Sequence, residues 1–352
     1  MSSFILKPAT MNKPLIAFCF LTFCFLPIRS QTDFRVMHYN VENLFDCTDD
    51  PGKDDNEFLP DGTRRWTKGR YYHKLQQIAK VISAAGEWDT PALISLCEVE
   101  NDSTVHHLLS RTPLRSQYYR YIITDSPDPR GIDVALLYQR DKFAYIGHDC
   151  HRIRFRYHKD KNSRDLLHVW GKVITGDTLD VFVCHFPSRS GGEKATEPDR
   201  KEAALLLKHI TDSLFSIRTH PYILAMGDFN DTPDDPSIQK TLAAFPPSGT
   251  PDPHRLYNLP LKTTRRHVEG THKYQGIWNR LDQFIVSGLL LESSAPFTLI
   301  PNSACIFSPG FLLTEDKTHR GVRPLRSYHG YKYEGGYSDH LPIIVDFTLS
   351  LP

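Results

Sequence analysis

The sequence lacks an excess of charge of either sign. Its 352 residues include 42 lysines and arginines and 41 aspartates and glutamates, so the formal net charge is +1. This balance argues against a strongly basic chain that coats nucleic acid and against a polyanionic chain. Hydrophobic residues make up 40% of the chain, enough for a sizeable core, which excludes wholesale disorder. The absence of an internal repeat argues against a solenoid or a propeller.

Several common functional motifs are also missing. The sequence contains no C-x-x-C, no G-x-S-x-G, no H-E-x-x-H and no G-x-x-x-x-G-K-[ST]. Their absence argues against a thiolate zinc site, a serine hydrolase elbow, a zinc protease helix and a phosphate-binding P-loop.

An apolar run near the N-terminus predicts a signal peptide. Residues 15–28 are almost all apolar, Lys13 precedes them and Arg29 follows them. The run is too short to span a bilayer comfortably, so we expect residues 1–30 to be a secretory signal peptide and the protein to be secreted or periplasmic. A buried helix or a short anchor is the alternative. Residues 1–10 add nothing to the signal. A translation start at Met11, which would leave these residues untranslated, is therefore a further hypothesis.

Cleavage after this segment would leave one large domain over residues 31–352, with 39 basic and 41 acidic residues and a net charge of about −2. Five cysteines would remain, and an odd number cannot all pair internally. An oxidising compartment permits one disulfide, but the sequence does not identify its partners. These cysteines are Cys47, Cys97, Cys150, Cys184 and Cys305.

Apolar runs alternate with helical patterns along the rest of the chain and predict an α/β domain without an internal linker. Helical spacing of apolar residues predicts one helix around 75–82 and another over 203–214, beginning at Pro198-Asp199. The acidic segment 48–62 lacks the spacing of a twelve-residue calcium loop, so we expect a solvated loop. Predicted strands cover 91–96, 132–138, 169–174, 180–186, 222–226, 281–287 and 341–347.

Polar side chains stand where these strands end. They are Asn40 (with Glu42 beyond), Glu98, His185, Asp228, Asn230, Asp282, Asp339 and His340. Ligand-binding loops of α/β sheets lie at strand ends, so we expect these side chains to form one site. Carboxylate and amide oxygens favour Mg²⁺, with Mn²⁺ or Ca²⁺ as alternatives, and histidines transfer protons near neutral pH. This set suits the hydrolysis of a phosphate ester.

Seven segments carry a recognisable pattern, namely HYNVENLFD (38–46), LCEVEN (96–101), RGIDVALLY (130–138), CHFPSRSGG (184–192), MGDFNDTP (226–233), RLDQFIVS (280–287) and SDHLPI (338–343). In order and in spacing, from about residue 35 to 347, they resemble the endonuclease/exonuclease/phosphatase family. The resemblance implies a deoxyribonuclease-like four-layered α/β sandwich, in which two mixed β-sheets pack face to face with helices outside.

The resemblance also implies a role for each residue. Glu98 is the principal metal ligand, helped by Asn40 and Asp339. Asp228 orients or activates the attacking water, and Asn230 holds a phosphate oxygen or a second metal. His340 contacts the scissile phosphate while Asp282 fixes its tautomer. His185 assists proton transfer at the leaving oxygen, and Arg130 contacts phosphate.

Each of these residues also has an ordinary structural interpretation. Strand-end Asn and Asp often form caps or turns, His185 can be a core histidine, and Arg130 can be a loop charge. The Gly-rich loop 188–192 is either an anion site or a plain turn. The basic and aromatic run 262–278 either lines a nucleic-acid groove or forms a hairpin with a solvated face.

The substrate is less constrained than the chemistry. Glu98 is followed by Val99-Glu100-Asn101 rather than Thr-Lys, and Trp278 lies out of register, which disfavours an abasic-site endonuclease. We expect a secreted, monomeric, Mg²⁺-dependent endonuclease or general phosphodiesterase, with nucleic acid as substrate and no transmembrane segment in the mature chain. The alternatives are a sphingomyelinase-like lipid phosphodiesterase or another phosphatase of the same fold, and, in a different class, an inactive binding module.

Overall fold

Two mixed β-sheets form the centre of the computed structural model, which describes residues 31–350 together with Met1 and Ser3. The predicted signal peptide therefore lies outside the described residues, apart from those two positions. None of the described helices is both long and apolar enough to span a bilayer. The five cysteines named above are all unpaired.

The strands are β1 (Gln31–Leu44), β2 (Leu93–Val99), β3 (Arg120–Ile123), β4 (Asp133–Tyr138), β5 (Phe143–His151), β6 (Leu166–Val173), β7 (Thr178–His185), β8 (Tyr222–Asp228), β9 (Leu256–Asn258), β10 (Lys262–Thr263), β11 (His272–Tyr274), β12 (Ile277–Asn279), β13 (Asp282–Ser287), β14 (Phe297–Leu299), β15 (Cys305–Ile306), β16 (Leu313–Glu315), β17 (Val322–Pro324), β18 (Tyr328–His329), β19 (Lys332–Tyr333) and β20 (Ile343–Ser350). The α-helices are α1 (Lys68–Gly86), α2 (Asp102–Ser110) and α3 (Glu193–Ile217). Shorter helical turns cover Asn56–Phe58, Pro113–Gln117, Ser237–Leu242, Gly288–Leu291 and Gly310–Leu312.

The first sheet has the order β10-β15-β20-β1-β2-β4-β3, with β14 also paired to β20, and the second has the order β5-β6-β7-β8-β13-β9. Both are mixed, because β1 pairs with β2 and β7 with β8 in parallel while most neighbours are antiparallel. The main core lies between the sheets and under α1, and a second core lies under α3. The predicted sandwich of two mixed sheets flanked by helices is confirmed.

The structure corrects the predicted start of α3. The helix begins at Glu193 rather than at Pro198-Asp199, and Pro198 lies inside it. The buried guanidinium of Arg200 holds the extra turn, because it donates to the carbonyl of Glu193 at 2.8 Å and to the hydroxyl of Thr196 at 2.6 Å. These bonds fasten the first turn to a buried side chain.

Strand ends from both sheets meet at one edge of the sandwich. In the second sheet β7 ends at His185 and β8 at Asp228, while antiparallel β13 begins at Asp282 opposite Asp228. In the first sheet Asn40 of β1 pairs with Cys97 of β2, one residue before Glu98. Residues from both sheets therefore converge at this edge.

Candidate active site

Asp282 joins two histidines at the centre of this edge. Its Oδ2 accepts a hydrogen bond from Nδ1 of His340 at 2.7 Å, and its Oδ1 accepts one from Nε2 of His38 at 3.0 Å. All three side chains are buried. Burial alone would raise the pKa of Asp282, but the two histidines hold that pKa well below its usual range. Asp282 is thus a permanent carboxylate that fixes the His340 ring with Nε2 pointing away from it.

Asp228 is the acceptor that faces both predicted catalytic histidines. Its Oδ2 lies 3.7 Å from Nε2 of His340 and 3.8 Å from Nε2 of His185. The same oxygen accepts a hydrogen bond from the Asn40 amide at 3.1 Å. Burial and the nearby charge of Asp282 raise the pKa of Asp228, against the opposing influence of His340. A carboxylate with a raised pKa is a better proton acceptor than one in water.

The two histidines have opposite protonation preferences. Burial would lower the pKa of His340, but the carboxylates of Asp282 and Asp228 raise it well above the usual value. Burial, reinforced by the charges of Arg164 and Arg130, lowers the pKa of His185 well below the usual value. At neutral pH the site therefore pairs a cationic His340 with a neutral His185.

Asn230 links the ends of β7 and β8. Its backbone N–H donates to Oδ1 of Asp228 at 2.8 Å, and its side-chain amide donates to the carbonyl of Phe186 at 2.9 Å. Its φ of 51° is left-handed, a conformation that asparagine tolerates better than most residues. Asn230 thus orients Asp228 and also forms the Asx turn that its sequence suggests.

Glu98 lies at the rim of this buried group. Its Oε2 accepts a hydrogen bond from the backbone N–H of Asn43 at 2.9 Å and lies 3.8 Å from Nη2 of Arg130. Arg130 also donates to the side-chain oxygen of Asn43. The guanidinium is nearly half exposed, which leaves donors free for an anionic ligand.

Asp339 belongs to a neighbouring ionic group that includes Glu42 and Arg326. Nη2 of Arg326 lies 2.8 Å from Oδ2 of Asp339 and 2.7 Å from Oε1 of Glu42. The buried ammonium of Lys74 lies 4.0 Å from Oε2 of Glu42. Burial would raise the pKa of Asp339, but Arg326 and His340 lower it to about 2. Burial lowers the pKa of Lys74 to about 8.

Donor chemistry at this rim fits a hard divalent cation. Oε1 of Glu98 and Oδ1 of Asp339 accept no hydrogen bond from any described residue. A tighter group of possible ligands consists of Asp228, Asp282 and His340, whose ligand atoms lie within 4.8 Å of one another. Both oxygens of Asp282 are already occupied by histidines, so that group is poorly suited to an ion. Carboxylate oxygens match the preference of Mg²⁺, Mn²⁺ or Ca²⁺.

The structure brings the predicted residues together in two adjoining groups. The buried group holds Asn40, His185, Asp228, Asn230, Asp282 and His340, and the rim holds Glu98, Arg130 and Asp339. The amide of Asn40 faces Asp228, while its Oδ1 accepts the N–H of Glu42 at 3.0 Å. Asn40 is thereby fixed between the two groups.

Sequence reasoning missed three residues of the site. His38 shares a face of β1 with Asn40 because the two lie two residues apart, and this alternation was the available signal. Arg326 comes from a region without a motif. His272 lies in the β11–β12 hairpin, and its ring centroid is 4.7 Å from that of His340. The last part of the segment 262–278 therefore forms a hairpin that adjoins the site, whereas Lys262 and Thr263 belong to the first sheet.

The loop after His185 is held by acidic residues. Nε of Arg189 donates to the carbonyl of Asn230 at 2.7 Å, and Nη2 lies 2.6 Å from a carboxylate oxygen of Asp235. Arg189 therefore stabilises the loop that carries Asn230, through hydrogen bonds to protein acceptors.

Comparison with known proteins places this chain in a family. A family model described as Endonuclease/Exonuclease/phosphatase family matches residues 35–348. No match was found among curated proteins.

Solved structures share the fold along nearly their whole length. An endonuclease/exonuclease/phosphatase family protein from Bacteroides thetaiotaomicron is 17% identical, with 91% of this chain and 99% of that chain covered and a TM-score of 0.55. A mannosyl-6-phosphatase from Bacteroides thetaiotaomicron is 17% identical, with 89% and 99% covered and a TM-score of 0.54. Humanized TDP2 of D. rerio is 12% identical, with 90% and 98% covered and a TM-score of 0.52. The matched family model and this shared fold establish that the chain belongs to the endonuclease/exonuclease/phosphatase family.

Proposed function

We propose that this chain is a divalent-metal-dependent phosphodiesterase that uses Mg²⁺ and cleaves nucleic acid. Members of its family are hydrolases of phosphate esters. The observation that supports the proposal best is the placement of Asp228 Oδ2 at 3.7 and 3.8 Å from the Nε2 atoms of two histidines with opposite protonation preferences. When water attacks phosphorus, the reaction requires groups of this kind to accept and donate protons.

Asp228 takes the proton of the attacking water. A new O–P bond then forms as the water O–H bond breaks, and the P–O bond to the leaving group breaks in line. Asn40 and the backbone N–H of Asn230 hold the carboxylate in position through hydrogen bonds of 3.1 and 2.8 Å. Because the carboxylate is fixed before substrate binds, little reorganisation is needed during the step.

His340 donates a hydrogen bond to a non-bridging phosphate oxygen. Asp282 occupies Nδ1, so the cationic ring presents Nε2–H to the substrate. This donor stabilises the charge that grows on the phosphate oxygens in the transition state. Neutral His185, whose Nε2 lies 3.8 Å from Oδ2 of Asp228, passes the proton that Asp228 has taken from the water on to the leaving oxygen.

Glu98 and Asp339 would hold the metal ion, with Arg130 beside them as a phosphate contact. A bound divalent cation supplies further stabilisation of negative charge on the phosphate oxygens. The carboxylate oxygens without hydrogen bonds and the nearby exposed guanidinium support this assignment.

A substrate panel on the purified protein tests the proposal. The substrates are a plasmid, a single-stranded oligonucleotide, bis(p-nitrophenyl) phosphate, mannose 6-phosphate and sphingomyelin, each with Mg²⁺ and with EDTA. We expect Mg²⁺-dependent cleavage of the nucleic acids and the diester, and its loss in Asp228→Asn. Hydrolysis of mannose 6-phosphate or sphingomyelin with no cleavage of nucleic acid would overturn the assigned substrate. Cleavage that persists in EDTA would overturn the metal requirement.

We also propose that the chain is exported by residues 1–30 and works outside the cytoplasm. N-terminal sequencing of the protein recovered from medium or periplasm should find a start near Gln31. An intact N-terminus on cytoplasmic protein would contradict this.

A further inference from the structure

A basic segment joins β5 to β6. Residues 152–164 contain four arginines, two lysines and one aspartate, although the whole chain has a net charge of only +1. We call these residues the basic loop. Its charge is thus far above the average for the chain, and the functional assignments above do not use it.

Topology places the basic loop at the active-site edge. β6 pairs antiparallel with β7, so the start of β6 lies beside the end of β7 at His185. β5 pairs antiparallel with β6, with His151 opposite Leu166. Neighbouring strands lie about 5 Å apart, so β6 and β5 stand roughly 10 and 14 Å from β8, which carries Asp228.

The loop is attached to the catalytic strands at one end. Buried Arg164 donates to the carbonyl of Phe186 at 2.6 Å and to Oδ2 of Asp128 at 3.0 Å. Phe186 follows His185 directly, and the charge of Arg164 contributes to the lowered pKa of His185. The position of the loop is therefore coupled to that of the site.

Apolar anchors hold the rest of the loop. Ile153 and Phe155 are buried in the core under α3. They lie beneath a pocket of about 440 Å³ whose cationic lining residues are Arg152, Arg154, Lys159 and Lys161. The cations are presented from an anchored backbone, which lowers the entropy lost when an anion binds.

Acidic partners compensate only part of this charge. Arg152 pairs with Asp165 at 2.6 Å, and Lys161 pairs with Asp199 at 2.8 Å. Arg154 and Lys159 are exposed and have no ion pair or hydrogen bond with any described residue. Two uncompensated cations in one pocket are suited to anionic ligands.

We infer that the basic loop binds backbone phosphates of a nucleic-acid strand beyond the scissile phosphate. The inference rests on the proposed function, because it names the polymer that this site would cleave. Arg154 and Lys159 are the two residues assigned to this contact.

Binding to a fluorescein-labelled single-stranded DNA 12-mer in EDTA tests the inference without catalysis. The test variant is Arg154→Glu with Lys159→Glu. The control is Arg140→Glu with Lys172→Glu, which changes the charge equally. Both control residues are exposed, Arg140 follows the end of β4, and Lys172 lies at the end of β6 remote from the site.

We expect the test variant to weaken binding about tenfold or more and the control about twofold or less. The slope of log K against log salt should fall by about 1.4 in the test variant, since each lost single-strand phosphate contact contributes about 0.7. Thermal unfolding of both variants checks that each is folded, and Arg154→Ala with Lys159→Ala serves if the reversed charges prevent folding.

Equal weakening by both variants, or no binding of the strand by the parent, would overturn the inference. A parent that binds the strand through the basic loop but hydrolyses no phosphodiester with any metal would overturn the proposed function instead. The two failures are therefore distinguishable.

Discussion

Asp282 holds His340 through a hydrogen bond of 2.7 Å between Oδ2 and Nδ1. Asp282 begins β13 of the second sheet, whereas His340 lies just before β20 of the first sheet. The other oxygen of Asp282 holds His38, which lies on β1 of the first sheet. One carboxylate thus joins the two sheets and sets the direction of the His340 imidazole.

The Asp282→Asn variant should lower kcat by about 10²–10⁴. Asparagine offers one acceptor oxygen where two histidines need one each, so the His340 ring loses its fixed tautomer. Steady-state rates with bis(p-nitrophenyl) phosphate provide the measurement. Asp180→Asn is the matched control, because Asp180 is also buried and bonded to a histidine, His168, at 2.9 Å. A kcat for Asp282→Asn equal to that of the control would contradict the role of Asp282.

Asp228→Asn and Glu98→Gln should separate proton transfer from metal binding. We expect Asp228→Asn to lower kcat by about 10²–10⁴ while the Mg²⁺ concentration for half-maximal activity changes little. Glu98→Gln should raise that Mg²⁺ concentration by about 10–100-fold. Activity measured across a Mg²⁺ titration distinguishes the two effects. If Glu98→Gln leaves the half-maximal concentration unchanged, the metal lies elsewhere.

Gly227→Ala should destabilise the protein by about 3 kcal/mol or more. A Cβ at this position would lie 1.9 Å from the carbonyl oxygen of Cys184, in the neighbouring strand β7. Neither backbone can yield without separating the strands that carry His185 and Asp228. Urea unfolding measures the loss. Gly69→Ala is the control. Gly69 lies in α1, where alanine is favoured, and a Cβ there would lie 3.8 Å from its nearest neighbour, the hydroxyl oxygen of Thr67. Equal stability of the two variants would refute the steric argument.

Asp133→Asn should stabilise the protein above pH 6 by about 1–3 kcal/mol and have little effect near pH 4. Burial raises the pKa of Asp133 to about 6, against hydrogen bonds from Ser126 and Thr124. The folded state therefore holds this proton more tightly, and stability is lost as pH rises through about 6. The hydrogen bonds all end on Oδ1, which asparagine retains.

Asp180→Asn should show the opposite pH dependence. Burial would raise the pKa of Asp180, but hydrogen bonds from His168 and Arg218 lower this pKa. Its contribution is therefore present above the unfolded pKa of about 4 and lost at lower pH. Urea unfolding at pH 3, 4 and 7.5 compares both variants with the parent. A stability difference independent of pH would contradict either assignment.

The sequence alone determined the type of fold and most members of the site. Apolar runs predicted the strands, and polar residues at their ends predicted a common edge. This works because the spacing of apolar residues along the chain indicates which side chains are buried. The helical pattern around residues 75–82 corresponds to the buried face of α1. The predicted start of α3 was wrong because contacts within the helix, from the buried Arg200 to the first turn, accompany a longer helix than the local signal of Pro198 suggested.

Only the tertiary structure decided which site residues belong to the buried group and which to the rim. Arg326 has no local signal of function, and His38 has only its alternation with Asn40. His38 bonds to Asp282 and Arg326 to Glu42, each partner more than 240 positions away in the chain. The protonation preferences of His340 and His185 are likewise opposite although their side chains are chemically identical. Burial and the charges that folding places around each ring set those preferences, and neither quantity exists in the unfolded chain.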